Sequence, residues 1–243
     1  MTTIQTLFKQ FSLLDAIRFS LLELARKLLC NDSYYAYSQT GEDIIINSIL
    51  KNIPIGFYIE VGCNEAIQHS NTFKLYRRGW RGITVDASKK MVDMHRSLRK
   101  NDIQVCAAVS NEIKEVVFYE FAMDEISTID NDFYVKNVQS QSIKNKSMVV
   151  TRTLDSIVSE TLPPGFSIDL LSIDVEGHDY PVLSSIDLHK YRPKLIVIEM
   201  HNFDLSNPEV NDIYSRLVAH DYVFAGYVVW NGYFLAKEFS STL

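Results

Sequence analysis

GFYIEVGCNEA, residues 56–66, followed by GITVD, residues 82–86, decides the fold of this 243-residue chain. Each segment is a β-branched apolar run that ends beside a carboxylate: Glu60 just before Gly62 in the first, Asp86 at the end of the second. Apolar runs without polar alternation mark strands buried on both faces, as in a parallel sheet covered by helices. Outward from this pair, residues 103–109, 170–173 and 195–198 repeat the pattern. Helical stretches at residues 71–78, 90–100, 181–186 and 210–220 separate or follow them. Residues 222–230 and 233–236 predict a terminal hairpin turning at Asn231-Gly232. Repeated strand–helix–strand units predict an α/β domain whose ligand site lies at the carboxyl ends of the strands, where strand order reverses. Residues 111–151 break the rhythm: a strand-like run at 116–121 precedes a polar, Asn/Ser/Lys-rich stretch at 131–147. They are read as an insertion over the site, a mobile lid.

Hydrophobic residues make up 47% and charged residues 22%, which excludes a disordered chain. A net charge of −6 argues against binding nucleic acid through bulk phosphate attraction, so no nucleic-acid partner is expected. The absence of an Asn-Pro-Pro-Tyr or Asp-Pro-Pro-Tyr motif points the same way, because such motifs grip the amine of a flipped base. Cys30, Cys63 and Cys106 show no metal-finger or redox spacing. An odd count without a secretion signal predicts a reducing compartment, hence a cytoplasmic protein.

Residues 4–29 carry Leu7, Phe8, Phe11, Leu14, Ile17, Leu21, Leu24 and Leu28 in steps of three and four. This spacing predicts an amphipathic helical arm over residues 1–33, ahead of the main domain at 34–243. Charges interrupt the run too often for a membrane span. The favoured reading is packing on the chain's own domain or on a second subunit in a homodimer. The alternative is peripheral membrane contact through residues 4–29, where four basic residues face two acidic ones.

The first turn offers one glycine of the dinucleotide signature, Gly62; Asn64 and Ala66 stand where later glycines would be. Glu60 would repel a pyrophosphate but suits a cationic ligand. S-adenosylmethionine has an amino group, a sulfonium and no phosphate, so the turn favours it over a nicotinamide. Asp86 is placed to accept both ribose hydroxyl hydrogens.

Five segments together resemble the FkbM-type methyltransferases: Ser38-Gln39-Thr40-Gly41-Glu42-Asp43, residues 56–66, SNTFKLYRRGWRGITVDA at 70–87, IDLLSIDVEGHDYPVL at 168–183 and RPKLIVIE at 192–199. The resemblance covers roughly residues 38–199. It implies a Rossmann-like class I methyltransferase fold, with a mostly parallel seven-stranded sheet and a C-terminal antiparallel hairpin. It also implies S-adenosylmethionine-dependent O-methyl transfer, in many such enzymes to sugars of polysaccharides or secondary metabolites. Cofactor contacts are then expected from Glu60, Gly62 and Asp86, with Gln39 and Asn71 as helpers and Asn64, Ala87 and Ala108 beside them. The acceptor is expected to be a carbohydrate or another small molecule.

Asp174 follows the strand at 170–173, with Glu176, His178 and Asp179 just behind it; Glu199 and His201 close the next strand. Removing a hydroxyl proton needs a base or a metal. His201 or Asp174 could serve as base, with Glu176 as a further catalytic candidate. Alternatively Asp174, Glu199 and His201 could hold Mg²⁺ or Mn²⁺, which oxygen-rich ligand sets suit. Asp174 and Glu176 could instead cap the following helix. His178 is read as an exposed loop residue, and His69, His95, His189 and His220 as surface residues. Tyr34, Tyr35 and Tyr37 are read as packing between arm and core rather than stacking on a sugar. A different class of function remains in view: a non-catalytic cofactor-binding or assembly module tethered by the arm.

Overall fold

In the computed structural model the described residues are 8–29, 35–123 and 126–242, with side chains in the first span described to residue 25. The elements are α1 (Leu13–Leu29), α2 (Glu42–Ile49), β1 (Phe57–Val61), α3 (Phe73–Arg77), β2 (Arg81–Asp86) and α4 (Lys89–Leu98). There follow β3 (Ile103–Cys106), β4 (Ala108–Val109), β5 (Glu115–Phe121), α5 (Asn131–Asn137), β6 (Ile143–Arg152), α6 (Leu154–Thr161) and β7 (Leu170–Ile173). The last third holds α7 (Asp179–Ser184), α8 (Leu188–Tyr191), β8 (Leu195–Glu199), α9 (Asp212–Ala219), β9 (Tyr222–Val228), β10 (Asn231–Ala236) and α10 (Lys237–Ser240).

Seven strands form one sheet in the order β3-β2-β1-β7-β8-β10-β9. β1 pairs parallel with β2 and β7, and β10 runs antiparallel to both β8 and β9. Alternation along each strand divides the core. Phe57, Ile59 and Val61 of β1 join Ile196 and Ile198 of β8 in one apolar cluster, with Ile157 of α6 and Leu217 of α9. Tyr58, Leu195 and Val197 point the other way, toward Ile46, Phe73, Tyr76 and Trp80. Both faces are therefore covered, which is why the strands read as continuous apolar runs. Strand order reverses between β1 and β7, and their carboxyl ends open the crevice where such folds bind ligands.

Two local readings change, and one polar stretch gains its elements. Residues 103–109 are two strands, because the chain leaves the sheet at Ala107, whose N–H donates to the Asp86 carbonyl at 2.9 Å. Beyond it, β4 pairs with β6. The hairpin turns at Val229-Trp230, while Asn231 and Gly232 are already paired in β10. Asn231 is needed there for its side chain, which donates to Glu42 Oε1 at 3.3 Å. The polar stretch at 131–147, to which the sequence assigns no element, is structured. It contains α5 and the first half of β6, and β5, β6 and β4 form a second sheet. Tyr119 of β5 stacks on Tyr134 of α5 at 3.9 Å, with the Lys146 ammonium over the Tyr134 ring. The polar composition reflects exposed faces rather than missing structure.

The arm also differs from expectation. Ile4, Leu7, Cys30 and Tyr34 lie outside the described residues, and α1 begins at Leu13. The residues that pack inward are Phe11, Ala16 and Phe19, which join the cluster around Phe73 and Tyr76. The predicted apolar stripe points out: Leu14 is 77% exposed and Leu21 62%. Tyr35 and Tyr37 pack edge-on, and Tyr37 also meets Phe73, so these tyrosines do join arm to core. No described helix is long and apolar enough to cross a membrane.

Candidate active site

The crevice at the strand reversal is built around Gly62. Its N–H donates to the Val85 carbonyl at 2.9 Å, and it has φ +77°, a region that costs a glycine nothing. A side chain there would collide with the backbone carbonyl of Asp174, whose carbon would lie 2.7 Å from the added Cβ. β1 and β7 thus approach too closely for any other residue. The result is a cleft beside the carboxyl ends of β1, β2 and β7. Gln39, Gly62, Asn64, Asp86, Ala87 and Ala108 stand in its wall, as do Asp174 and Glu176. Asp86 accepts the Asn64 N–H at 3.0 Å and the Ser88 N–H at 2.7 Å.

Gln39 is held there by its neighbours. Asp43 accepts from the Ser38 hydroxyl at 2.7 Å and from the Tyr37 N–H at 3.0 Å, which folds this loop over the start of α2. Glu60 and Asn71 lie behind the wall instead. Glu60 accepts from the Thr72 hydroxyl at 2.6 Å and the Asn71 N–H at 3.1 Å, and is ion-paired with Arg99 at 3.4 Å. The Asn71 side chain donates to Ser172 Oγ at 3.2 Å. The cation that Glu60 meets is therefore internal, and the acid fixes the turn from below.

Arg99 itself is fully buried. Its Nε donates to Asp102 at 2.8 Å, and its terminal nitrogens reach the Tyr58 and Thr72 hydroxyls, both at 2.6 Å. Burial and the Arg99 guanidinium act oppositely on Glu60 and Asp102; burial is the larger effect and raises both carboxyls. This hub ties β1, β2 and the end of α4 together under the cleft. Nothing in the local sequence marks it. His95 is likewise fully buried rather than on the surface. Burial, and then the Arg99 charge, lower its pKa to about 3, so it is neutral. Its Nε2 lies 3.1 Å from the Asn64 carbonyl, which can only accept, so this nitrogen carries the proton. His95 thus pins the Asn64 turn, a residue at φ +42°.

The acids after β7 and β8 form the second half of the site. Asp174 is half-buried. Burial and then the charges of Glu199, Glu176 and Asp179 hold its carboxyl well above the ordinary carboxylate range. Among the described residues, Glu176, Glu199 and His201 place one ligand atom each within 4.8 Å of one another. Asp174, expected as the third member, is not in that group. The backbone explains the exchange. Glu176 sits at φ +55°, a conformation rare outside glycine and asparagine, and Gly177 follows at φ +92°. This turn carries Glu176 toward the end of β8, which sequence spacing cannot reveal. His201 Nε2 lies 3.0 Å from Glu199, and hydrogen bonding to that carboxylate raises the imidazole above its ordinary value.

The N-cap of α7 is His178, whose side chain makes no cap hydrogen bond, and Asp179 accepts the Val175 N–H at 3.0 Å and the Gly177 N–H at 3.2 Å in the turn before the helix. His178 is half-buried and lines the cleft, 2.9 Å from Ser110 Oγ, rather than lying exposed. His69 is exposed but also reaches the cleft wall. Phe118 of β5 and Ser127, Thr128 and Ile129 of the segment that follows it line the site, and the Thr128 hydroxyl donates to the Glu176 carbonyl at 2.9 Å.

Residues 60–224 match the family model described as the methyltransferase FkbM domain. That span begins at the Glu60 turn and includes both halves of the site. No curated protein and no solved structure matches the chain.

Proposed function

Because the chain belongs to the FkbM methyltransferase family, we propose that it moves a methyl group from S-adenosylmethionine to a sugar hydroxyl of a glycan or glycan precursor. The observation that carries this reading is the cleft between β1 and β7, with Asp86 on one side and the Asp174 acid cluster on the other. When bound, the cofactor supplies an electrophilic methyl group on a cationic sulfur. Asp86 would accept from its ribose hydroxyls. Met91, Ala108 and Val109 offer apolar wall to a planar base. The clustered acids favour a cation beside them, because neighbouring carboxylates repel unless a proton or a cation intervenes. A raised carboxyl in a cleft also favours an enzyme over a passive binding module. Cytoplasmic residence belongs to the same reading and is supported by the unpaired thiols of Cys63 and Cys106. Incubation with the cofactor and a set of cellular glycans should add the mass of one methyl group to the true acceptor. No methylated glycan in any fraction would count against the sugar assignment.

Two ways of taking the acceptor proton are open to these residues. His201 can act as general base, its imidazole oriented by Glu199. Alternatively Glu176, Glu199 and His201 fit Mg²⁺ or Mn²⁺, with two carboxylates and one imidazole. The pH profile separates them. A histidine base must be neutral, so turnover should climb through a pKa raised above 6.5. Glu199→Gln removes the cause of that rise, and the limb should move to lower pH with activity retained and insensitive to chelator. A metal site predicts loss of turnover with chelator, recovery with Mg²⁺ or Mn²⁺, and inactivity of Glu199→Gln at every pH.

A further inference from the structure

We infer that the outer face of α1 docks the protein on an anionic lipid bilayer. Leu13, Leu14, Ile17, Leu21 and Leu24 are 70%, 77%, 43%, 62% and 54% exposed. At about 100° per residue they fall in one stripe roughly 100° wide. The stripe is not the face that holds the helix to the protein, since Ala16 and Phe19 turn the other way into the core, beside Phe11 just ahead of the helix. The helix therefore has two apolar faces, and folding uses one. Single exposed leucines are ordinary; a continuous row of five on one helix is the signature of a contact surface.

Charge decides between occupants. Arg18 is exposed and borders the stripe, and Lys9 is exposed just before the helix. Both acids of the helix are turned away and engaged. Asp15 accepts from the Ser12 hydroxyl at 2.6 Å, and Glu23 is ion-paired with Arg77 of α3 at 2.7 Å. The stripe thus has a basic border on a chain whose net charge is −6. An apolar row flanked by Arg and Lys matches the boundary between acyl chains and anionic headgroups. A second copy fits less well, because a stable protein interface takes about 20–30 residues a side and one helix stripe offers five. The helix is too short and too charged to cross the bilayer, so it would lie in the interface plane.

The full chain should float with vesicles of phosphatidylglycerol and phosphatidylcholine and stay in solution with phosphatidylcholine alone. Ile17→Asp combined with Leu21→Asp should cut the floated fraction by about tenfold or more. Both sites face solvent, so the melting temperature should not change. Arg18→Glu, with the stripe intact, should weaken binding to the anionic vesicles specifically, and raised salt should do the same to the wild type. No flotation with either vesicle would overturn the inference. So would a concentration-dependent dimer that Ile17→Asp/Leu21→Asp converts to monomer, since the stripe would then be a subunit interface.

Discussion

Replacing Arg99 with Met should cost about 3–5 kcal/mol of stability, a large share of the ~5–15 kcal/mol typical of a domain. The guanidinium is fully buried and is the cation that both Glu60 and Asp102 face. Met fills similar volume, so the loss comes from stranded charge, not from a cavity. The buried acids respond by taking up protons. Burial raises both carboxyls even with Arg99 present, and without it they rise further. In the variant the folded state then binds more protons than the unfolded chain near neutral pH, so its stability increases as pH falls. Urea unfolding should show the full deficit at pH 7 and part of it recovered toward pH 5. A deficit under about 1 kcal/mol would mean the hub is dispensable.

Gly62→Ala should have the other large effect, on ligand binding and stability together. An alanine at φ +77° is strained, and its Cβ would also run into the Asp174 carbonyl, forcing β1 and β7 apart at the cleft. Gly165 supplies the control, with φ +83° and nothing within 4 Å of an added Cβ. Gly165→Ala should cost about 1 kcal/mol through its backbone alone. Gly62→Ala should cost several times as much and abolish measurable cofactor affinity. Equal melting temperatures for the two variants would remove the argument from close approach.

The sheet and its reversal point were legible because double-sided burial writes β-branched runs that end in recognisable turns. Gly62, Asn64 and Asp86 follow from those turns, and Gln39, Ala87 and Ala108 are expected from the resemblance to the FkbM-type methyltransferases; the structure gathers them in one wall. The rest depends on geometry that spacing does not encode. Arg99 looked like one more charge on a polar helix, yet Glu60, its ion-pair partner, is 39 positions away in sequence. His95 was hidden the same way by the helix around it. Glu176, not Asp174, stands beside Glu199 and His201, in a turn where Glu176 and Gly177 both take positive φ. Helical periodicity found the apolar stripe of α1 but could not say which side meets the protein, because Ala16 and Phe19 offer another apolar face and Phe11, one of the predicted stripe, packs inward before the helix begins. The Asn231-Gly232 pair carries a strong turn signal, but Asn231 is committed to Glu42 and the chain turns two residues earlier.

On the proposed function, S-adenosylmethionine occupies the cleft between β1 and β7 and is held by Asp86. Titration calorimetry of the wild type and of Asp86→Ala with this cofactor tests it most directly, with a nicotinamide dinucleotide as the comparison ligand. The wild type should bind one S-adenosylmethionine per chain and no nicotinamide dinucleotide. Asp86→Ala should lose affinity by about tenfold to several hundredfold, the value of one or two charge-assisted hydrogen bonds. Undiminished affinity in Asp86→Ala, or binding of the dinucleotide in preference, would contradict the account.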